Sequence, residues 1–214
     1  FHVHFTFDKR FTDSMAGLFL YHGITNVRDT GGLLEDLLHV VDTLRSAGNN
    51  APNIWYSGPL LDGEDVVYDG VNFPGLGIAN PTPEAALANI AEIHAAGASF
   101  LKIYEMVTPE VFAAIVAEAG ARNLPIDGHV PLSMRARNVA PQVQSLEHLR
   151  NYEMDCVEDP ELWLATRQAE LANVANEPGN VLRARLHTLQ RLTAITNEDP
   201  VVCAETTEAL KATI

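Results

Sequence analysis

Two stretches of the chain repeat one design, a helix that opens on Thr-Pro-Glu and leads into a short apolar strand. The helical stretches cover residues 82–97 and 108–120, and the strands SFLKIYE and LPIDGHV follow them. In both stretches threonine fits the N-cap, proline fits the first helical position, and glutamate complements the positive end of the helix dipole. Each helix is predicted to end near a glycine, Gly97 or Gly120. Strands that alternate with helices through short connections favour a parallel sheet covered by helices.

The rest of the chain continues this alternation. Further strands are predicted at residues 1–5 and in GITNVRDTGG, NIWYSGP and VQSLEHL. Further helices are predicted at residues 12–22, in LLEDLLHVVDTLRSAG up to Gly48, and briefly at residues 135–140. Residues 61–81 are rich in Gly, Asp and Pro and predict a long loop, whereas residues 159–195 predict polar helices with a Pro-Gly break at 178–179. Units of about 25–30 residues suit both a (β/α)8 barrel and a doubly wound sheet.

Composition excludes several classes of partner. The chain has 214 residues and 47% hydrophobic residues, which fits one domain with a sizeable core. Its net charge of −14 argues against nucleic acid and against an anionic membrane surface. No apolar run has the length of a membrane span, and the glycine-rich phosphate fingerprints are missing. Cys156 and Cys203 are far apart in a pattern that indicates neither a disulfide framework nor a cysteine metal site.

Histidines stand at alternate positions in the first strand, FHVHF. Side chains alternate between the two faces of a strand, so His2 and His4 share one face, while Phe1, Val3 and Phe5 share the other. Neutral imidazole is the commonest metal-binding side chain, and two on one face can bind a single ion. A frayed terminal strand with solvated histidines is the alternative interpretation of these five residues.

Later strands also carry metal-binding residue types toward their carboxyl ends, where parallel α/β folds build their sites. These residues are Lys102, His129 and His148. The remaining histidines lie in helical stretches and are predicted to be solvated or to cap helices: His22, His39, His94 and His187.

The motifs HVH, HGITNVRDTGG, GASFLKIYE, IDGHVP and QSLEHL, in this order, resemble the amidohydrolase superfamily. Within it they are similar to the branch that contains imidazolonepropionase-related enzymes and metal-dependent prolidases. The resemblance covers about residues 1–150. Residues 151–214 carry no recognisable motif, and a helical insertion after the sixth strand is compatible with the family.

This resemblance implies a (β/α)8 TIM barrel with one or two divalent ions, usually zinc, and two are favoured. By position, His2 and His4 would bind the more buried ion, and His129 and His148 the second. Lys102 would be carboxylated by CO2 and bridge the two, since a carbamate is an anionic oxygen ligand whereas an ammonium repels cations. An ordinary surface ion pair is the alternative for Lys102.

The family's last metal ligand, an aspartate after the eighth strand, has no counterpart here. Asp199 stands in a loop before proline, which is the wrong setting. The residues that precede the HxH strand in the family, commonly a small β-domain, are also missing. We therefore expect residues 1–214 to be one partial barrel domain covering about strands 1–6, neither stable nor active without the rest of the barrel or a second chain. Homo-oligomerisation is open, and the compartment is unknown.

The reaction implied is hydrolysis of an amide C–N bond through a metal-bridging hydroxide. The favoured substrates are Xaa-Pro dipeptides or N-acyl amino acids. By alternation, Tyr104 follows Lys102 and Arg150 follows His148 on the same face, so Tyr104 could bind the oxyanion and Arg150 a substrate carboxylate. Rim packing is the alternative for both.

Other inward positions are given weaker roles. Asp127 could orient a metal ligand or be a structural carboxylate, and Asp29 is predicted to cap the following loop. The loop at residues 61–81 could cover the site, with Tyr68 and Phe73 lining an apolar pocket.

Three alternative functions remain open. The first is a hydrolase of cyclic amides of the imidazolonepropionase type; deaminases are disfavoured because they generally lack the carboxylated lysine. The second is a non-catalytic metal-binding barrel domain. The third is a doubly wound sheet that binds a small ligand without metal.

Overall fold

A computed structural model describes residues 1–173 and 177–211, apart from the side chain of Asp13. The strands are β1 His2–Val3, β2 Asn26–Asp29, β3 Asn53–Tyr56, β4 Leu60–Asp62, β5 Gly77–Ala79, β6 Leu101–Ile103, β7 Ile126–Gly128 and β8 Ser145–Leu146. The helices are α1 Thr12–Tyr21, α2 Leu34–Ala47, α3 Pro83–Ala95, α4 Pro109–Arg122, α5 Ala136–Val139, α6 Pro160–Ala172, α7 Gly179–Leu186, α8 Leu192–Thr196 and α9 Pro200–Lys211. Within these ranges, none of the helices combines the length and apolar character needed to cross a membrane.

All strand pairs in the two sheets are parallel, as the alternation predicts. One sheet has the order β1-β2-β3 and the other the order β5-β4-β6-β7-β8. The two sheets adjoin at the end of β3, where the N–H of Ser99, two residues before β6, donates to the carbonyl of Tyr56 at 2.8 Å. The fold is therefore mixed α/β with parallel sheets, and the strands of the described ranges do not close into a barrel.

Helices cover the sheets with apolar faces of helical period. In α2 the buried residues Leu37, Val40, Val41 and Leu44 recur at spacings of three and four, which places them on one side of the helix. They join a core that includes Val3 and other strand residues. This packing fixes the strands, and with them the direction of every side chain at the strand ends.

The repeated Thr-Pro-Glu design caps its helices as predicted. The hydroxyl of Thr82 accepts from the Ala85 N–H and that of Thr108 from the Val111 N–H, both at 3.3 Å. The predicted helix end near Gly120 is confirmed to within two residues, since α4 continues to Arg122 and is capped by Asn123, whose φ of 55° is left-handed. Asparagine tolerates that conformation better than most residues with a side chain, so it supplies the turn.

Residues 61–81 are not all loop. Leu60–Asp62 and Gly77–Ala79 pair as parallel strands, and turns lie between them. Three-residue strands are too short to show an alternating pattern, which explains why the sequence predicts only the loop. The predicted sixth strand is also shorter than expected, since β8 ends at Leu146 and His148 lies in the 3-10 turn Glu147–Leu149.

The segment after β8 is helical, as predicted, and includes a π-helical turn at His187–Arg191. The part of the predicted helical stretch at residues 174–176 lies outside the described residues. The sequence pattern indicates no disulfide framework, yet Cys156 and Cys203 form a disulfide across 47 residues. The Asp199 N–H donates to the Cys156 carbonyl at 2.7 Å, so the packing of α9 brings the cysteines together. No local sequence pattern announces that contact.

Candidate functional site

A cavity of about 100 Å³ lies at the carboxyl ends of β1, β6 and β7. Each residue predicted to bind metal or substrate lines it: His2, His4, Lys102, Tyr104, His129, His148 and Arg150. The other lining residues are Phe7, Leu60, Tyr68, Leu76 and Arg183. The structure thus brings the predicted residues together at the edge of the sheet where parallel α/β folds place their sites. Their roles in metal or substrate binding stay predictions.

The first strand alternates as predicted, with Val3 and Phe5 in the core and His2 and His4 in the cavity. The two Nε2 atoms lie 3.1 Å apart. His2 Nδ1 donates to Glu147 Oε2 at 2.7 Å, and His4 Nδ1 donates to the Gly31 carbonyl at 3.1 Å. With each Nδ1 donating outward, the Nε2 atoms of the two rings face each other.

Two ring nitrogens this close need a proton or a metal cation between them. Thr30 Oγ1 lies 2.6 Å from His2 Nε2, on the rim of the same space. Burial lowers the pKa of His4 to about 4, so a proton is disfavoured there at neutral pH. Two imidazoles on one tetrahedral zinc ion hold their nitrogens about 3.3 Å apart, by the usual bond length and angle. The pair therefore fits a divalent cation, and the acceptors on Nδ1 are those that orient metal-binding histidines.

Lys102 is 1% exposed, and its Nζ has no hydrogen-bond partner among the described residues. Burial lowers its pKa to about 8, against the opposing charges of Glu147 and Asp127. An ammonium group without an acceptor is costly to bury, whereas a neutral amine is cheaper and can react with CO2. The environment of Lys102 therefore fits a carbamate better than a surface ion pair, which its burial excludes.

His129 is held by a buried carboxylate that the sequence analysis missed. Its Nδ1 donates to Glu105 Oε1 at 2.9 Å, so its Nε2 is free of the proton, and burial lowers the pKa of the ring to about 3. Glu105 also accepts from Asn151 at 3.1 Å, from His187 at 2.7 Å and from Arg183 at 3.0 Å. Burial by itself raises the pKa of Glu105, but the bonds from His129 and His187 outweigh it and hold the pKa well below the ordinary value. Its position at the end of the strand that carries Lys102, one residue beyond Tyr104, is the sequence feature that could have predicted its place at the site.

His148 adopts a backbone conformation that favours glycine, with a φ of 60°, and Leu149 follows with 48° and Asn151 with 68°. Such residues cost free energy and are concentrated at functional sites. The turn places the His148 ring 4.7 Å from His2 and 5.5 Å from His129, measured between centroids. Because the turn breaks the alternation, the argument that placed Arg150 on the face of His148 is wrong, although Arg150 does line the cavity.

The same turn adds Glu147, which the sequence analysis passed over. Donor atoms of His2, Glu147 and His148 all lie within 4.8 Å of one another and form a group that could hold an ion. Glu147 also accepts from Arg28 at 2.8 Å. The hydrogen bond from His2 lowers the pKa of Glu147 well below its ordinary value, so the carboxylate is charged at neutral pH.

Aromatic rings line one part of the cavity. The Tyr104 ring lies 4.7 Å from His129 and 5.7 Å from Tyr68. Burial raises the pKa of the Tyr104 hydroxyl, which therefore stays protonated and can donate. Tyr68 lines the cavity as predicted, whereas Phe73 packs on Tyr68 and is 42% exposed, outside the cavity wall.

Other predicted roles have mixed outcomes. Asp29 accepts from the Phe5 and Gly31 N–H groups and so caps the loop, as predicted. Asp127 pairs with Arg28 rather than with a histidine of the cavity, which favours the structural interpretation. Asp199 accepts from the N–H groups of Val201 and Val202 at the start of α9, so it has a structural role there.

Of the four histidines predicted to be solvated or capping, three are exposed: His22, His39 and His94. The prediction for His187 is wrong. Its Nε2 bonds Glu105, and only 14% of its side chain is exposed.

No family model and no curated protein matches the sequence. Solved structures do. An amidohydrolase is 14% identical with a TM-score of 0.58, covering 100% of this chain and 68% of that one. A prolidase complexed with N-methylphosphonate-L-proline is 18% identical with a TM-score of 0.56, covering 90% of this chain and 60% of that one. A bottromycin amidohydrolase is 24% identical with a TM-score of 0.54, covering 77% and 35%.

The chain has an amidohydrolase-type fold. At these identities the likeness concerns the fold, and the imidazolonepropionase branch stays a prediction. The chain spans 35% of the bottromycin amidohydrolase and 60% of the prolidase. Activity, substrates and partners of the whole protein are therefore matters for proposal.

Proposed function

We propose that this chain carries the metal site of a metal-dependent amidohydrolase that cleaves an amide C–N bond. In this proposal the parallel strands are part of a (β/α)8 barrel. The observation that carries it is the pair of Nε2 atoms of His2 and His4, 3.1 Å apart, beside the buried and unpartnered amine of Lys102. The fold of prolidases and other amidohydrolases supports it, because those proteins share this arrangement of strands and helices.

In this proposal two pairs of histidines in the cavity bind two metal ions. His2 and His4 would hold one ion, and His129 and His148 a second, with the Lys102 carbamate between them. Imidazole and carboxylate-type oxygen together suit zinc. Bound divalent ions supply Lewis-acid polarisation of the carbonyl and an activated water near neutral pH.

The chain's own groups then position the substrate. Tyr104 keeps its proton and donates a hydrogen bond to the carbonyl oxygen as negative charge develops there. Arg150 binds a substrate carboxylate. The favoured substrates are therefore Xaa-Pro dipeptides or N-acyl amino acids, whose leaving amino acid bears a carboxylate. The fold neighbours that are prolidases support this class.

Metal content of the full-length protein tests the proposal. We expect about two ions per chain by elemental analysis, when bicarbonate is present during expression. His129→Ala should weaken metal binding by about tenfold or more, whereas His94→Ala, on the exposed side of α3, should leave it unchanged. Folded protein without bound metal would contradict the proposal.

Activity is measured in the same preparations. We expect hydrolysis of Xaa-Pro dipeptides or N-acyl amino acids that is lost on chelation and restored by metal. Cleavage of cyclic amides alone would favour the imidazolonepropionase-type alternative. Bound metal with no hydrolysis of any amide would favour the non-catalytic alternative.

A further inference from the structure

Two arginines bring positive charge to the wall of the cavity. Arg150 and Arg183 line it beside Lys102 and the histidines, and among the described residues no aspartate or glutamate does. The nearest carboxylate to the arginines, Glu105, lies behind the wall and is fully buried. In a chain with a net charge of −14, this is an unusual local sign, and it indicates that the cavity accepts an anionic group.

Arg183 reaches this cavity from the helical segment after β8. Leu182 and Leu186 of α7 belong to the buried cluster that contains Tyr104. Gly179 begins α7 with no room for a Cβ, which would overlap the carbonyl oxygen of Asp65. These contacts press α7 against the cavity wall and fix the position of Arg183.

The guanidinium of Arg183 is oriented on two sides. Its Nε and Nη2 lie 3.0 Å and 2.9 Å from Glu105 Oε1, and its Cζ lies 5.6 Å from the centre of the Tyr104 ring. Among the described residues, no acceptor is bonded to Nη1. A guanidinium clamped by a carboxylate and stacked on a ring is preorganised, so it loses little entropy when it binds an anion.

Arg150 is left without full compensation. Its buried Nε has no hydrogen-bond partner in the described part of the chain and lies 3.9 Å from Glu105 Oε1. Glu105 already accepts from His129, Asn151, His187 and Arg183. One carboxylate therefore serves two guanidinium groups, and one positive charge remains at the cavity.

We propose that Arg183 and Arg150 together form the carboxylate subsite of this cavity, and that Arg183 is a specificity-determining residue supplied by the helical segment. The ligand is a carboxylate on the leaving amino acid of the substrate, so the inference rests on the proposed function. The lining residues Phe7, Leu60, Tyr68 and Leu76 then receive the apolar remainder of the substrate. Substrates without a carboxylate, such as amides of the same compounds, are excluded by the unpaired guanidinium charge they leave behind.

Equilibrium binding to the metal-loaded, full-length protein tests the subsite. L-proline and L-prolinamide are the probes because they differ in the carboxylate, and chromatography of the titrated sample checks that L-prolinamide stays intact. We expect L-proline to bind about tenfold to a hundredfold more tightly by calorimetry, as for a charge-assisted contact. Arg183→Gln should remove most of this preference, and Arg183→Lys should restore part of it.

Arg185→Gln is the matched control, since Arg185 lies on the same helix and pairs with Glu170 and Glu177 at the surface. It should keep the full preference. If Arg183→Gln loses its fold, as shown by thermal unfolding, Arg150→Gln and Arg183→Lys take its place, and both should reduce the preference. No preference in the wild type, or a preference that survives Arg183→Gln and Arg150→Gln, would overturn the subsite.

Failure of the proposed function looks different. If the protein prefers the carboxylate but hydrolyses no amide, the hydrolase proposal is rejected and the subsite proposal is kept. If the protein hydrolyses amides but binds L-proline and L-prolinamide equally, the subsite proposal is rejected and the hydrolase proposal is kept.

Discussion

Two regions of the molecule meet at one cavity and contribute to it in different ways. Residues 1–150 supply strand ends, and from them come the histidines and the lysine that form the candidate metal site. Residues 151–211 are mostly helical, and from them come Arg183 at the cavity and His187 behind it. The two regions are joined at Glu105, which bonds His129 on one side and Arg183 and His187 on the other. The comparison suggests that the strands position the chemistry, while the helices hold it in place and select the ligand.

The largest effect is expected from replacing Glu105, the residue that bonds both regions. Glu105→Ala leaves Arg183 and the buried histidines without their acceptor, and breaking a buried charge pair costs about 3–5 kcal/mol. We expect a loss of that size in the free energy of unfolding, measured with urea. Glu118→Gln, which removes a partly exposed partner of Arg122 within α4, is the control and should cost less than about 1 kcal/mol. Equal losses in the two variants would show that Glu105 does not join the regions.

The second test concerns the helical region alone. Replacing Cys156 and Cys203 by serine opens a loop of 47 residues, and a crosslink of that kind stabilises a protein by about 2–4 kcal/mol. We expect the free energy of unfolding to fall by that amount. The contacts at the strand ends should stay as in the wild type, and the NMR signals of the His4 ring should therefore not shift. A loss below about 0.5 kcal/mol would mean that α9 is held by packing without help from the disulfide.

The third test stays in the strand-end region and uses pH. In metal-free protein His4 binds a proton only near pH 4, whereas an unfolded histidine binds one near pH 6.5. Between those values the unfolded chain takes up more protons, so the free energy of unfolding falls as the pH is lowered through that window and is unaffected by His4 above it. We expect this contribution to be about 1 to 3 kcal/mol at the acid end. His4→Gln should make the free energy of unfolding depend less on pH in this window. Identical slopes for the variant and the wild type would show that His4 does not contribute.

The smallest effect compares helix caps in the two regions. Thr108 and Asp159 both precede Pro-Glu, but only Thr108 accepts a capping hydrogen bond from its helix. Thr108→Ala should therefore cost about 1 kcal/mol, and Asp159→Ala only a few tenths. Thermal unfolding measures both, and a larger loss for Asp159 would mean that the same motif acts alike in both regions.

The amino-acid sequence by itself determined what short-range chemistry controls. Alternation within a strand placed His2 and His4 on one face and Val3 on the other, and the Thr-Pro-Glu pattern placed two capped helices. These features depend on residues two to four positions apart, so a periodic pattern reveals them. The parallel arrangement of strands follows in turn, because strand–helix alternation leaves few other ways to bury the apolar faces.

Only the tertiary structure decided how the site is completed. Glu105 and His187 are 82 residues apart, and Cys156 and Cys203 are 47 apart, yet each pair is in contact. The left-handed turn at His148 likewise depends on what surrounds it, since histidine tolerates a positive φ without requiring one. Contacts over such distances are set by how helices pack on the strands, and packing depends on shape and buried charge throughout the chain rather than on any local pattern.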